Sequence, residues 1–330
     1  MRKEVGLSYL PTPDFLEFRL PPGYIALVTN EGTALTSAVC KALQAQGNEV
    51  VVLNLHPSLK VQTGLPAISL RDNSVNAVES AIAQLEQQHG KVGSFIHLHP
   101  HLEFVKPNFA QHFEIEKHLL QSVFLLAKVL KPALNELAEF NRANFLTVSR
   151  LDGQLGLGKR GNISILGGGL PGLVKSLHQE WPQVFCRAVD LQPELYTDRL
   201  AELIIAELHD ANTTITEVGV NEKGRSTIRA RGATNEPSNQ FTARVNADSV
   251  FLVSGGARGV TATCVIEMAK TFQCKFILLG RSNNTFTIPA FAKAAYKADG
   301  SIDENALKRF TSSKEGFSPF DLRSSIMERF

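Results

Sequence analysis

The sequence predicts an α/β protein in which a doubly wound parallel sheet is followed by the beginning of a second unit of the same kind. The length of 330 residues suits two domains. Short apolar, β-prone runs alternate with longer runs of helical spacing, and one series of strand, turn, helix and strand occurs twice. We therefore expect a first domain over residues 1–232, a linker over 233–246, and the N-terminal part of a second domain over 247–330.

The repeated series starts with "YIALVTN" at residue 24 and with "VFLVSGG" at residue 250. The two copies align without a gap at an offset of 225 positions, so that Leu27 corresponds to Leu252 and Thr36 to Thr261. Two copies of one βαβ start would give this pattern.

The turn after the first strand differs between the copies. The second copy has "SGGARGVT", with three glycines in the turn: Gly255, Gly256 and Gly259. Glycines permit positive φ and a close approach to a pyrophosphate, which would then sit on the N-terminus of a helix predicted to begin near Thr261. The first copy has other residues at these places: Asn30, Glu31 and Ala34. The carboxylate of Glu31 would repel a phosphate, so we expect only the second copy to bind a nucleotide.

The stretch between the copies supplies the rest of a parallel sheet. Apolar runs predict three strands, within residues 93–100, 143–153 and 185–191. Helical spacing predicts two helices, within residues 114–134 and 172–182. A hairpin turning at residues 222–224 then closes the first domain.

The end of the second strand in the second copy, "LLGRS", indicates which nucleotide is bound. An acidic residue there would hydrogen-bond a free 2′-hydroxyl, whereas Arg281 and Ser282 suit a 2′-phosphate. Arg258, inside the glycine turn, adds a second positive charge. The pattern favours NADPH over NADH.

These residues carry a family resemblance. "VFLVSGGARGVTATCVIEMAK" followed by "ILLGRS" resembles the catalytic subdomain of the β-ketoacyl reductases of modular polyketide synthases, and most closely those of bacterial polyunsaturated fatty acid synthases. They are a branch of the short-chain dehydrogenase/reductases. In that family a degenerate, Rossmann-like structural subdomain without cofactor precedes a Rossmann subdomain that binds NADPH, and the resemblance covers about residues 15–282.

The resemblance implies a reaction and a set of site residues. The family uses NADPH to reduce the β-keto group of an acyl chain carried on acyl carrier protein, in contact with other megasynthase domains. By motif position, five residues would line the pyrophosphate turn: Gly255, Gly256, Arg258, Gly259 and Val260. Arg281 and Ser282 would hold the 2′-phosphate.

The catalytic residues of such reductases are not found. A tyrosine must deliver a proton to the carbonyl oxygen with a lysine nearby, yet none of the four tyrosines has a lysine four residues later. In the first copy, Ser149 ends the strand where the catalytic serine of this family would lie, and Lys175 sits on the helix after it; we interpret both as structural residues. The offset places the counterpart of Lys175 in the second copy beyond Phe330, so we expect a truncated, inactive piece whose catalytic residues lie further on. Two alternatives stay open: a non-catalytic scaffold or docking protein with a relic nucleotide site, and a complete reductase with an unusual acid.

Composition excludes little and supports an ordinary globular protein. Hydrophobic residues make up 43% and charged residues 20%, and the net charge of +2 gives no reason to expect nucleic acid. The four cysteines are scattered, and no apolar run suits a signal peptide or a membrane span, so we expect a cytoplasmic protein. His97, His99 and His101 alternate and could in principle hold a metal, but Pro100 interrupts the strand and no carboxylate pattern accompanies them, so we expect no metal site.

Overall fold

The computed structural model describes residues 3–102, 108–158, 164, 166–232, 245–256 and 259–279. The chain divides into two compact units, Met1–Thr234 and Asn235–Phe330. Apart from residues 245 and 246, the predicted linker lies outside the described residues.

The first unit contains nine strands and five helices within the described ranges. The strands are β1 (Lys3–Leu10), β2 (Tyr24–Thr29), β3 (Val50–Asn54), β4 (Ala67–Ser69), β5 (Lys91–Leu98), β6 (Asn144–Ser149), β7 (Phe185–Leu191), β8 (Glu217–Asn221) and β9 (Gly224–Gly232). The helices are α1 (Ala34–Ala45), α2 (Val75–His89), α3 (Phe109–Ala138), α4 (Gly169–Glu180) and α5 (Thr197–Leu208). Each strand and helix that the sequence predicts between the two copies is present; β7 has its predicted ends, and the ends of the others are shifted by a few residues.

The nine strands form one sheet in the order β1-β9-β8-β7-β6-β5-β2-β3-β4. Strands β2 to β8 pair in parallel, whereas β9 pairs antiparallel with both β8 and β1. The strand order reverses between β2 and β5, which confirms the predicted doubly wound α/β fold. In such sheets the ligand crevice lies at the carboxyl ends of the strands, next to this reversal.

Helices cover both faces of the sheet. α1 packs against α5, while α3 packs against α2 and α4. Because both faces are covered, the central strands are buried along nearly their whole length and read as continuous apolar runs. Trp181, the sole tryptophan, ends α4 and is 1% exposed, with its ring edge-on to Phe145.

The second unit has a parallel pair of strands, β10 (Val250–Ser254) and β11 (Lys275–Leu279), joined by α6 (Gly259–Phe272). Val265, Cys274 and Phe276 form its small apolar core. In the described part of the chain, no helix combines the length and the apolar character that crossing a membrane requires.

Candidate functional site

The predicted phosphate turn of the second unit joins β10 to α6. The N–H of Gly255 donates to the carbonyl of Leu279 at 2.8 Å, which ties the turn to the end of β11. Gly255 has φ +69° and Gly259 has φ +62°, a region that residues with a Cβ rarely adopt. The backbone of this turn therefore needs glycine at two of the positions that the sequence singles out.

Gly256 is needed for a different reason. It is buried, and a Cβ added there would lie only 2.6 Å from Cδ2 of Leu278 on β11. Val260, in the first turn of α6, is 81% exposed. The structure thus brings four of the predicted residues together at the N-terminus of α6: Gly255, Gly256, Gly259 and Val260. The other predicted residues, Arg258, Arg281 and Ser282, lie outside the described residues.

The corresponding turn of the first unit is filled by the chain's own carboxylate. Glu31 is fully buried, and its Oε1 accepts hydrogen bonds from the N–H of Thr33 at 3.0 Å and from the hydroxyl of Thr33. Its Oε2 accepts from Nη2 of Arg150 at 2.7 Å. The negative charge therefore sits at the N-terminus of α1, where an anion would otherwise be stabilised. The sequence predicts that Glu31 repels a phosphate. The structure adds that its carboxylate already accepts the hydrogen bonds of Thr33 and Arg150, which a bound phosphate would otherwise accept.

Asn30 closes the rest of this turn. Its Oδ1 accepts from the N–H groups of Gly32 at 3.1 Å and Val61 at 3.3 Å. Its Nδ2 donates to Oδ1 of Asn54 at 2.9 Å and to the carbonyl of Val61 at 3.1 Å. The side chain links the turn to the loop after β3, so the polar groups that a ligand would need are already paired with one another.

A buried polar row lies at the strand reversal of the first unit. Nδ1 of His97 is 3.0 Å from Oγ1 of Thr29, and Nε2 of His97 is 3.2 Å from Nδ1 of His99. Nε2 of His99 is 3.3 Å from Oε1 of Glu116 on α3. Burial, and then the neighbouring His99, hold the pKa of His97 well below its ordinary value.

His101, the third alternating histidine, does not join this row. Its Nδ1 lies 3.1 Å from the carbonyl oxygen of Arg150, beyond the end of β5. Among the described residues no group of three or more His, Cys, Asp or Glu side chains could hold a metal ion. Alternation puts His97 and His99 on one face of β5, and that pair serves the packing of α3 on the sheet.

Ser149 and Lys175 have separate surroundings. Ser149 Oγ donates to Oδ1 of Asp190 at 3.4 Å, and Asp190 also accepts the N–H of Leu151 at 2.7 Å. Burial raises the pKa of Asp190 to about 7. Lys175 is half-exposed and pairs with Glu217 at 2.9 Å. These contacts tie Ser149 to β7 and Lys175 to β8.

Solved structures give the fold of the chain. An A-type ketoreductase from a modular polyketide synthase matches with a TM-score of 0.53 and 20% identity, over 85% of this chain and 53% of that one. A multidomain structure with adenylation, ketoreductase and pseudo Asub domains, from a keto acid-selecting NRPS module, matches with a TM-score of 0.62 and 12% identity, over 94% of this chain and 24% of that one. The chain therefore has the fold of a ketoreductase region.

A sequence relative supplies the homology. One subunit of the polyunsaturated fatty acid synthase from Thraustochytrium sp. is 32% identical over an alignment of 323 residues, which covers 93% of this chain. The chain has a ketoreductase-like fold and is homologous to part of that synthase. It spans 11% of the length of the matched synthase polypeptide. No family model matches the chain.

A ketoreductase-like fold implies a nucleotide cofactor. Within the described residues, the turn after β10 has positive φ at Gly255 and Gly259, whereas the turn after β2 is closed by Glu31 and Asn30. The glycine spacing was sufficient to find the first of these turns. The pairing of Glu31 with Arg150 has no signal in the sequence, because the two residues lie 119 positions apart.

Proposed function

We propose that the chain is the NADPH-binding ketoreductase region of a fatty acid or polyketide megasynthase. The region's reaction is the reduction of a β-ketoacyl group on acyl carrier protein to the β-hydroxyacyl group, in the cytoplasm and beside other domains of the synthase. The observation that carries the proposal is the turn of Gly255 and Gly259, which follows a parallel strand and opens a helix in a chain homologous to part of a polyunsaturated fatty acid synthase.

The second unit would hold the cofactor. The backbone N–H groups at the N-terminus of α6 would bind the pyrophosphate, and the lack of a side chain at Gly256 lets the turn pack directly on Leu278. Arg281 and Ser282, with Arg258, would bind the 2′-phosphate through charge-assisted hydrogen bonds. NADPH, when bound, supplies the hydride.

The first unit would serve as the structural subdomain, with boundaries at residues 1–232, and the cofactor subdomain would begin at 247. The support is the closed turn: the buried carboxylate of Glu31 is held by Arg150 and by the backbone of Thr33. A pyrophosphate would have to displace this ion pair, and two anions at one helix N-terminus repel each other.

The proposal covers cofactor binding and assigns no proton donor. A tyrosine that delivers a proton works best when a neighbouring lysine lowers its pKa. Tyr24, by contrast, begins β2 at the end of the strand remote from the turn, and burial, with Glu136, raises its pKa. We therefore expect no turnover of a β-ketoacyl substrate by this chain alone.

Titration with NADPH and NADH tests the proposal. The purified chain should bind NADPH more tightly than NADH, and Arg281→Ala should weaken NADPH binding about tenfold while leaving NADH unchanged. Lys270→Ala is the matched control, because Lys270 is an exposed cation of α6 on the same unit. Absence of binding to either nucleotide would favour the non-catalytic scaffold, and equal binding of both would refute the choice of NADPH.

A further inference from the structure

A second cleft lies in the first unit, at the carboxyl ends of β3 and β4 and beside α3. It has a volume of about 460 Å³. Polar side chains line it, among them His56, Ser58, Asn73, Glu114, Lys117 and His118. Three separate segments contribute these residues: the loop after β3, the loop after β4, and the first turns of α3.

The place of this cleft in the repeat suggests its ligand. The offset of 225 positions aligns His56 with Arg281, which is predicted to bind the 2′-phosphate in the second unit. In the first unit the pyrophosphate position is closed by Glu31, but the end of the second strand opens into the cleft. A ligand that reaches only the strand end would fit there, whereas a dinucleotide would need both positions.

The hydrogen bonds of the two histidines define their protonation. Nδ1 of His56 accepts the N–H of Ser58 at 3.2 Å, so neutral His56 carries its proton on Nε2 and can donate it to a ligand. Nε2 of His118 donates to the carbonyl of Leu55 at 3.0 Å, so this ring carries its proton on Nε2. The two rings meet edge to face with their centroids 5.4 Å apart.

The imidazole of His56 can change the charge of the cleft. The permanently charged residues around it cancel, since two are basic and two acidic: Lys117, Arg71, Glu114 and Asp72. Lys117 and Glu114 are 3.5 Å apart, and Asp72 interacts with both Arg71 and His118. Burial, and then the charge of His118, lower the pKa of His56. A bound anion would offset both effects and favour the protonated form of His56.

We propose that this cleft binds a phosphomonoester, such as a nucleoside monophosphate, and that protonation of His56 controls the binding. The inference is independent of NADPH, because it concerns the unit whose phosphate turn is closed. A phosphomonoester becomes a dianion above about pH 6, while free imidazoles lose their protons near about pH 6.5. Binding should therefore be strongest at about pH 6 and weaken toward about pH 8.

Nuclear magnetic resonance of the full chain tests the proposal. The ring signals of His56 and His118 are followed during titration with inorganic phosphate and with adenosine 2′-monophosphate, at about pH 6 and at about pH 8. We expect saturable shifts of both rings at the lower pH, and an affinity at least about tenfold weaker at the higher pH. Shifts with phosphate alone would assign the recognition to the phosphate group, and shifts that need the nucleotide would add its nucleoside.

Variants separate this cleft from the cofactor site. His56→Gln should abolish the response of His118, whereas Arg281→Ala should leave it intact, even if NADPH binding is lost. His178→Gln, a half-buried histidine on α4 outside the cleft, is the matched control. Should His56→Gln fail to fold, two measurements still test binding in the cleft: the titration of Lys117→Met, on the exposed face of α3, and the pH comparison on the unaltered chain. Unshifted imidazoles, equal affinity at both pH values, or loss of the response in Arg281→Ala would overturn the proposal.

Discussion

The buried ion pair between Glu31 and Arg150 gives the sharpest prediction from the first unit. Glu31→Gln keeps the shape of the side chain and an oxygen for the N–H of Thr33, but it leaves the guanidinium of Arg150 without its carboxylate. The side chain of Glu31 is 0% exposed and that of Arg150 is 11% exposed, so water cannot replace the lost partner fully. Breaking a buried pair from one side typically costs about 3–5 kcal/mol, and we expect about 3 kcal/mol because the amide keeps one hydrogen bond.

Urea unfolding followed by Trp181 fluorescence measures this loss in the first unit alone, because Trp181 is the sole tryptophan and lies in that unit's core. With an m-value of about 2–3 kcal/mol/M, the midpoint should fall by about 1 M. Arg150→Met should also destabilise, and the double variant should recover part of the summed loss.

Lys175→Met is the control for this experiment. It breaks an ion pair of similar length, 2.9 Å, whose lysine is 47% exposed, and exposed pairs contribute only about 0–1 kcal/mol. If Glu31→Gln changed the free energy of unfolding by no more than this control, or if the double variant showed no coupling, the assignment of Glu31 as the buried counter-charge of the turn would be wrong.

Three further predictions follow from particular residues. Burial raises the pKa of Asp190 to about 7, so this carboxyl ionises at a lower pH in the unfolded chain than in the folded one. The free energy of unfolding should therefore fall by roughly 4 kcal/mol between about pH 4 and pH 7. A urea midpoint that stays constant over this range would contradict the prediction. Gly255→Ala, at φ +69°, should weaken NADPH binding about tenfold without moving the Trp181 transition, and unchanged affinity in titration would count against the phosphate turn. Arg187→Leu should cost about 3 kcal/mol in urea unfolding, because Arg187 is fully buried between Glu207 and Asp210, and a loss under about 1 kcal/mol would refute that.

The strand pattern could be predicted because a parallel sheet covered on both faces gives continuous apolar runs. β7, for example, is buried at every residue, and its predicted ends match the observed ones although Arg187 and Asp190 interrupt the apolar run. β1 was not assigned, because it is an edge strand with exposed residues such as Val5 and Tyr9. Its partner is β9, and the first pair of this ladder joins Lys3 to Gly232. No local pattern identifies a partner so far along the chain.

The candidate site also has one part that the sequence could predict and another that it could not. Positive φ at Gly255 and Gly259 follows from residue type and spacing, so the sequence could point to the turn. Buried charges could not be predicted, since an arginine within a strand gives no sign of its partners. Arg187 pairs with Glu207 at 2.5 Å only because α5 returns across β7, and this depends on the assembled fold.

The central claim is that this chain holds two copies of one nucleotide-binding start and that only the second takes the cofactor. Hydrogen exchange of the full chain, with and without saturating NADPH, tests it most directly. The account predicts slower exchange in the turn at residues 254–262, and no change in the turn at residues 29–36, where the buried pair of Glu31 and Arg150 already closes the site. Protection of the first turn, or protection of neither turn at saturating NADPH, would contradict it.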